Sequence, residues 1–337
     1  MNRLIHQYID RETSRVCTEQ LFADKAVSFL YSNVRESSSL LFNALTSPRF
    51  SGLLGWFHFD LRQRAEKAAP GAFIRDAGID LSECLDHPGS FTTLRRVFER
   101  KIRYWDKRPM PSEEDVVVAP ADSKVLLGSL AQSSLLYLKE KFFHLEELIS
   151  TGGSVPWHRL FVDGDFAVFR LTPDKYHYNH APVSGRVADL YAVEGRHHSC
   201  NPAVPLAIAS PYSKNQRFIT IIDTDVSGGT GVGMVAMVEV VALMIGEIIQ
   251  AYSEEKYDNP HPLTKGMFVK KGQPKSLYRP GSSTDVLIFQ PGRAIFSEDL
   301  TANNRRLDVE SRYSTLFGRS VVETDLKVRS AIARKVK

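Results

Sequence analysis

The sequence predicts an α+β protein in which amino-terminal helices precede a mostly β domain of sandwich or barrel type. Two observations carry this prediction. Before residue 110, apolar residues recur at helical spacing. After it, short runs rich in Val and Ile alternate with Gly, Pro, Asp and Ser. We therefore expect a helical amino-terminal region over residues 1–110 and a β-rich domain over residues 111–337.

Three segments of the amino-terminal region are predicted to be helical, over residues 26–45, 50–61 and 91–105. Two interpretations of the second segment stay open: an interfacial helix on an anionic membrane, or a helix packed on the β domain. The membrane interpretation is favoured by a group of apolar residues with arginines on both sides. These are Leu53, Leu54, Trp56, Phe57 and Phe59, flanked by Arg49, Arg62 and Arg64.

Short strands are predicted after residue 110, together with one helix over 145–149 and a carboxy-terminal strand plus polar helix or tail over 308–337. The long apolar run over 231–249 is interrupted by Glu239 and Glu247, so we expect a buried strand and not a membrane span. The predicted strands cover residues 116–118, 124–127, 166–171, 185–191, 218–223, 235–245, 267–269 and 285–289.

Composition excludes some classes of function. The net charge of +4 is too weakly basic to favour a nucleic-acid partner, although it suits contact with anionic lipid. Cys17, Cys84 and Cys200 are far apart and form no CxxC pair, which argues against a disulfide framework or a cysteine zinc site. With no visible secretory signal, we expect a cytoplasmic protein that contacts the inner face of a membrane peripherally.

Two histidines stand in the motif Tyr176-His177-Tyr178-Asn179-His180-Ala181-Pro182. Prolines on both sides favour a loop or strand end over a helix, and structural, catalytic and metal-binding roles for His177 and His180 all stay open. A second cluster, His197, His198 and Cys200, is expected to be a turn on the surface.

Two further motifs are weak by themselves. Asp122 follows an apolar run and a proline, where Asp usually forms a turn, although it could also orient a histidine. The run Gly281-Ser282-Ser283-Thr284 reads alone as a loop before a strand.

In combination and order, these motifs resemble the phosphatidylserine decarboxylase family over residues 90–300. The family's Tyr-His-x-x-His-x-Pro is matched at every fixed place by residues 176–182, and its Gly-Ser-Ser/Thr by Gly281-Ser282-Ser283. The other matches are Phe98-Glu99-Arg100-Lys101-Ile102, Arg108-Pro109, Pro120-Ala121-Asp122-Ser123, His144-Leu145-Glu146-Glu147-Leu148, Ser199-Cys200-Asn201, Asn215-Gln216-Arg217 and Asp223-Thr224.

The resemblance implies a self-cleaving enzyme with a pyruvoyl group as its covalent cofactor and with no metal. A serine hydroxyl attacks the carbonyl before it, an ester forms, and elimination leaves the pyruvoyl group at a new amino terminus. By the same resemblance, His180 is the base and Asp122 orients it and stabilises its charged form. His177 protonates the substrate carbanion or positions the substrate carboxylate.

The position of the cleavage is ambiguous by one residue. The family's spacing from Lys271-Gly272 selects Ser282, whereas the spacing back from Phe289 selects Ser283, so one residue is inserted in between. Gly281 directly before the scissile bond favours cleavage between residues 281 and 282, with Ser282 as the nucleophile and the precursor of the pyruvoyl group.

The resemblance implies conversion of phosphatidylserine to phosphatidylethanolamine through a Schiff base between the pyruvoyl ketone and the substrate amine. Departures from the family pattern at Ser123, Val241, Pro274, Ser276 and Pro280 keep open a decarboxylase of a soluble aromatic amino acid such as tryptophan. A non-catalytic scaffold is less favoured, because the proposed catalytic groups are all present. We expect the two cleaved chains to stay associated and the protein to form a homo-oligomer.

Overall fold

The computed structural model describes the chain in separate ranges. Ser283 lies inside them, whereas Gly281, Ser282 and nearly all of the helices predicted over 26–61 lie outside the described residues. The described residues are 5–19, 21, 45–47, 69–138, 141–150, 155–242, 247–280 and 283–337.

Every strand predicted between residues 116 and 289 is present, because runs of β-branched residues pack well on a pleated surface. The described part of the apolar run over 231–249 contains the strand Met234–Val241, which is mostly buried as expected, and the first residues of a second, half-buried strand, Ile248–Gln250, which was not predicted. In chain order the strands are β1 Gln7–Asp10, β2 Val16–Thr18, β3 Val116–Val118, β4 Ser123–Ser129, β5 Asp165–Leu171, β6 Tyr178–His180, β7 Gly185–Val193, β8 Arg217–Asp223, β9 Met234–Val241, β10 Ile248–Gln250, β11 Phe268–Val269, β12 Pro274–Tyr278, β13 Ser283–Phe289, β14 Ala294–Phe296, β15 Glu323–Leu326 and β16 Ala331–Lys335.

The helices are short, and the one predicted over 145–149 is confirmed as α4. Among the helices of the described ranges, none combines the length and the apolar character needed to cross a bilayer. The helices are α1 Ala69–Asp76, α2 Leu94–Phe98, α3 Tyr104–Lys107, α4 Leu145–Ser150, α5 Val204–Ala207, α6 Pro211–Lys214, α7 Glu298–Asn304 and α8 Arg312–Phe317.

The single helix predicted over 91–105 is wrong in one respect, because it is interrupted between α2 and α3. The backbone of this interval pairs with another extended segment: Leu85 N–H donates to Lys101 O, and Arg103 N–H donates to Glu83 O. Ile102 forms an isolated bridge with Cys84 there. A backbone whose polar groups pair across to another segment cannot also make helical hydrogen bonds.

One mixed sheet dominates the structure, with the strand order β11-β7-β8-β9-β13-β5-β4-β15-β1-β2. The α+β class is confirmed. The barrel alternative is wrong, because the described strands leave β11 and β2 at opposite edges of an open sheet. Two smaller sheets, β10-β12-β6 and β14-β16-β3, complete the strand layers.

The main sheet is apolar on both faces, and each face is covered by a different layer of the structure. One face of the main sheet packs against α4 and α8, through Leu148 and Tyr313 among others. The opposite face packs against β3, β14 and β16, through Val117 and Phe296 among others. The helices α2 and α3 cover the sheet β10-β12-β6, where Val97 joins a third apolar cluster.

The strands β1 and β2 were not predicted, because only Ile9 in this short segment is fully buried. They join the main sheet through parallel pairing of β1 with β15. A buried ion network supports the pairing, in which Arg170 on β5 donates to both carboxylates of Glu19 and Glu323. Residues before 110 therefore contribute to the main sheet, while the domain boundary at 110 stays a prediction.

Candidate active site

Ser283 is the first residue of β13, a strand that pairs on both sides. It lies opposite Leu171 on β5 and Val241 on β9, and both pairings run without irregularity to Phe289. The Ser283 side chain is fully buried, and its Oγ has no hydrogen-bond partner among the residues that the structure describes. A buried hydroxyl without a partner is costly, and such groups occur preferentially where chemistry needs them.

Tyr278 contacts both the histidine motif and the first residues of β13. Its backbone N–H donates to His177 O at 3.0 Å. Its Oη lies 3.1 Å from Thr284 O and 2.8 Å from Asp285 Oδ1. A single tyrosine therefore connects the end of β12 with Thr284 and Asp285, the two residues that follow Ser283 on β13.

His177 presents a free ring nitrogen. Its Nδ1 lies 2.8 Å from Lys175 O, and because a carbonyl only accepts, Nδ1 carries the proton. Its Nε2 is buried and has no partner in the part of the chain that the structure describes, so this atom can accept a hydrogen bond. Burial lowers the pKa of His177 to about 4, and the ring is neutral near pH 7.

His180 is also buried and neutral, because burial lowers its pKa to about 3. Its Nδ1 donates to Gly272 O at 2.8 Å, which leaves Nε2 as the acceptor for Tyr176 Oη at 3.0 Å. Gly272 has φ +76°, and a Cβ there would meet Met110 Sδ at 2.3 Å. Only glycine therefore makes this turn, which presents its carbonyl to His180.

The hydroxyl chain beyond His180 has room for one more proton. Tyr176 Oη lies 2.7 Å from Tyr257 Oη, which itself donates to Ile102 O at 2.9 Å. Four contacts link Gly272 O to Ile102 O through the His180 ring and the two tyrosine hydroxyls. When His180 is neutral, only three protons are available for them: one on its Nδ1 and one on each hydroxyl. A protonated His180 would satisfy all four, so the chain is arranged to accept a proton.

Asp122 acts on His180 through charge and backbone and not through a direct hydrogen bond among its described contacts. Its carboxylate accepts from Arg108 at 3.0 and 2.8 Å and from Val328 N–H at 2.8 Å. Burial raises the pKa of Asp122, but attraction to Arg108 outweighs burial and lowers it overall. The nearby His180 N–H donates to Pro120 O at 2.7 Å.

The site lies between the main sheet and the sheet β10-β12-β6, and a buried ion pair joins these layers. Glu239 on β9 accepts from Lys275 at 2.6 Å, and also from three further donors that saturate its oxygens. Those donors are Asn179, Gln250 and Ser276. Glu239 also lies directly opposite Asp285 on β13.

The structure thus brings Ser283, His177, His180 and Asp122 into one region. The connection is indirect but continuous: Ala121, next to Asp122, packs with Tyr278 and with the Leu171 that pairs with Ser283. Gly281 and Ser282, which complete the predicted cleavage motif, lie outside the described residues.

Sequence reasoning missed several residues of this region. Arg108 and Tyr176 stood in motifs but carried no predicted role, Tyr278 was in no motif, and Asp285 was taken as an ordinary strand residue. A charged residue inside an otherwise apolar strand pattern was the available signal for Asp285 and for Glu239.

The turn containing His197, His198 and Cys200 was expected on the surface, and this prediction is wrong. All three residues are buried, and Thr284 Oγ1 lies 2.9 Å from Cys200 Sγ. The turn therefore packs behind the first residues of β13.

The fold and the site together define a class of protein. It is an α+β protein in which a buried serine hydroxyl, neutral histidines and carboxylates in ion pairs lie around the first residue of one strand. A family model for phosphatidylserine decarboxylases matches residues 94–319. The chain belongs to the phosphatidylserine decarboxylase family.

Relatives from several bacteria agree with this assignment. The phosphatidylserine decarboxylase proenzyme of Chlamydia trachomatis serovar L2 is 30% identical over 314 residues, covering 93% of this chain and 96% of that protein. The proenzyme of Chlamydia caviae is 29% identical and covers 94% and 99%. The proenzyme of Fusobacterium nucleatum subsp. nucleatum is 26% identical and covers 91% and 94%.

The neutral state of His180 predicts how stability depends on pH. Because its folded pKa of about 3 lies below the unfolded value of about 6.5, its contribution is present above pH 6.5 and is lost as pH falls toward 3. His180→Gln should therefore reduce the loss of unfolding free energy between pH 6.5 and 5 by about 1.4 kcal/mol per pH unit. Urea unfolding at both pH values measures this, and an unchanged loss would contradict a neutral buried ring.

Proposed function

We propose that this protein is a self-cleaving decarboxylase that converts phosphatidylserine to phosphatidylethanolamine. The observation that carries the proposal is the buried, unpartnered Oγ of Ser283 at the start of β13, in a chain of this family. The relatives are named proenzymes, which supports maturation by cleavage of the chain.

We assign the nucleophile to Ser283. The pairing of β13 is regular from Ser283 onward, whereas the pairing of β12 with β6 shifts register between Pro274 and Ser276. An extra residue in β12 would account for the one-residue excess in spacing upstream of the serine. The family's spacing back from Phe289 then applies, and it selects Ser283 over Ser282.

Cleavage at this position would proceed in balanced steps. Ser283 Oγ loses its proton to a base and attacks the carbonyl carbon of residue 282. The bond from that carbon to Ser283 N breaks, and the nitrogen takes up a proton, which gives an ester and a free amine. Loss of the Ser283 α-proton then breaks the Cβ–O bond and releases residue 282 as a carboxylate. Water replaces the nitrogen, ammonia leaves, and a pyruvoyl group remains.

His180 is the base of this proposal. The hydroxyl chain through Tyr176 and Tyr257 has space for the extra proton, since Tyr176 can turn its own proton toward Tyr257 Oη. Asp122 favours the charged form of His180, and Arg108 opposes it. Asp122 is therefore assigned a supporting role, held in place by the ion pair with Arg108.

The residues present fit a pyruvoyl group at position 283. Among the described residues, the buried His177 Nε2 has no partner and marks where a bound substrate would find a polar contact, whereas Ser283 Oγ itself would leave with residue 282 during cleavage. A pyruvoyl group supplies a ketone that binds an amine and withdraws electrons as carbon dioxide leaves. His177 Nε2 would accept a proton from the substrate ammonium and return it to the carbon that loses the carboxyl group.

The lipid substrate implies work at a membrane surface. We propose a cytoplasmic protein that contacts the inner face of an anionic membrane peripherally, supported by the apolar and basic composition of residues 49–64. Self-association into a homo-oligomer stays a prediction.

Replacing each serine in turn tests the proposed nucleophile. Ser283→Ala should leave the chain at full length and inactive, because no hydroxyl is present to attack. Ser282→Ala should still mature into two chains. A denaturing gel scores cleavage, and the mass of the small chain from the Ser282→Ala variant should correspond to a pyruvoyl group at position 283.

The paired variants serve as each other's control, since they differ by one position. Cleavage that persists in Ser283→Ala and stops in Ser282→Ala would move the nucleophile to Ser282. An uncut wild-type chain with an ordinary amine terminus would remove the enzymatic proposal.

Replacing the histidines separates their proposed roles. His180→Ala should slow maturation by about 10²- to 10⁴-fold, the usual contribution of a positioned base. His177→Ala should mature but turn over more slowly by a similar factor. His198→Ala is a control, because it removes another buried histidine whose pKa burial lowers to about 4 and to which the proposal gives no role. An uncut His177→Ala chain would show that both histidines act in maturation.

A direct assay distinguishes the substrates. The mature protein should release carbon dioxide from phosphatidylserine in mixed vesicles and form phosphatidylethanolamine, while L-tryptophan should give no product above the Ser283→Ala background. Turnover of tryptophan without turnover of the lipid would favour the soluble-substrate alternative.

A further inference from the structure

Asp285 is a buried acid on the same strand face as the proposed nucleophile. Side chains two apart on a strand point to the same side, so Asp285 and Ser283 face the same layer at a Cβ separation of about 7 Å. The Asp285 side chain is fully buried, and within the described ranges its Oδ2 has no hydrogen-bond partner. The proposed function gives no role to this carboxyl group.

The contacts of Tyr278 are satisfied only when Asp285 carries a proton. Tyr278 Oη touches both Thr284 O and Asp285 Oδ1, yet a tyrosine hydroxyl has one proton to donate. Thr284 O is a carbonyl and can only accept. If Asp285 donates to Tyr278 Oη, the tyrosine proton is free for Thr284 O and both contacts are hydrogen bonds.

The charges around Asp285 point the same way. Glu239 lies directly opposite on β9, and cross-strand partners of this kind have Cβ atoms about 5 Å apart. Lys275 on β12 is already paired with Glu239. Burial, followed by the charge of Glu239, holds the pKa of Asp285 well above its usual range.

The remaining neighbours bring no compensating charge. Phe169 lies opposite Asp285 on β5. Cys200, which packs behind Thr284, is a neutral thiol because burial raises its pKa to about 12. With Asp285 protonated, the charges of Glu239 and Lys275 cancel, whereas an ionised Asp285 would leave this face with one unpaired negative charge.

We propose that Asp285 is a positioning residue for self-cleavage, which as a neutral acid holds the start of β13 through Tyr278 and keeps unpaired negative charge away from Ser283. This inference rests on the proposed function. In the resulting site, the acid Asp285 must stay protonated, whereas the proposed base His180 must be unprotonated.

The physical consequence is a loss of maturation once the pH is high enough to ionise Asp285. Self-cleavage develops negative charge on Ser283 Oγ and on the carbonyl oxygen it attacks. A carboxylate about 7 Å away in a medium of effective dielectric constant near 20 opposes that charge and slows the step on the order of 10- to 50-fold. Ionisation also removes the proton that Asp285 donates to Tyr278.

Asp285→Asn tests the inference, because the amide stays neutral and can still donate to Tyr278 Oη. Chains would be made in a short cell-free pulse and moved to buffers between pH 7 and 10, and cleavage would be followed on denaturing gels. Wild-type maturation should slow at least about tenfold across the alkaline range, while Asp285→Asn should keep its neutral-pH rate. An equal alkaline loss in the variant would overturn the inference.

Two further variants keep the result interpretable. Asp165→Asn is the matched control, since burial raises the pKa of Asp165 but the residue lies at the opposite end of the β5–β13 pair, and it should keep the wild-type pH profile. Tyr278→Phe should slow cleavage at every pH by weakening the hold on the start of β13. Wild-type rates in Tyr278→Phe would overturn the positioning role.

Failure of the inference is distinguishable from failure of the proposed function. Thermal unfolding followed by circular dichroism establishes that Asp285→Asn folds, and the mass of its small chain establishes cleavage at the same bond. A folded Asp285→Asn chain that never cleaves at neutral pH would mean that the carboxyl group itself is required, which contradicts the neutral-acid role. Cleavage that persists in Ser283→Ala would instead remove the nucleophile on which both proposals depend.

Discussion

The uninterrupted pairing of β13 with β5 and β9 is the constraint on which the site depends. It fixes Ser283 at the end of a rigid strand and determines which side chains share its face. The segment before it is held separately, by Tyr278 at the end of β12. A bond between a rigid strand and a separately anchored segment can be broken without loss of the surrounding sheet, because the pairs on both sides of β13 remain.

Burial then decides the protonation states around this strand. His177 and His180 are neutral because the charged forms would be poorly solvated, and each ring has one nitrogen fixed as a donor by a backbone carbonyl. Two of the remaining charges are paired with opposite charges, Arg108 with Asp122 and Lys275 with Glu239, whereas the buried Arg100 donates to backbone carbonyls. A site assembled from neutral groups and compensated pairs can respond strongly to a single proton, since little solvent screens the change.

Sequence patterns predicted the parts of this architecture that local chemistry determines. The Val- and Ile-rich strands and the histidine motif could be predicted, because each depends on residues that are close in the sequence. The strands β1 and β2 were not, because the pairing of β1 with β15 that brings both into the sheet joins residues about three hundred positions apart. The break between α2 and α3 was also missed, because the pairing of Ile102 with Cys84 leaves no periodic pattern in the sequence.

In the candidate site too, the sequence predicted the motif residues but not their partners. Ser283, His177, His180 and Asp122 were found through their motifs, but the partners of those groups depend on the packing of separate layers. Asp122 was predicted to orient His180, whereas its described hydrogen bonds go to Arg108 and to the backbone of Val328. Cleavage before Ser283 would assign Val328, β15 and β16 to the small chain, with β13 and β15 inside the main sheet. Separating the chains would then require unpairing interior strands and breaking the Arg170–Glu323 pair, so the cut would leave two chains that form one folded unit.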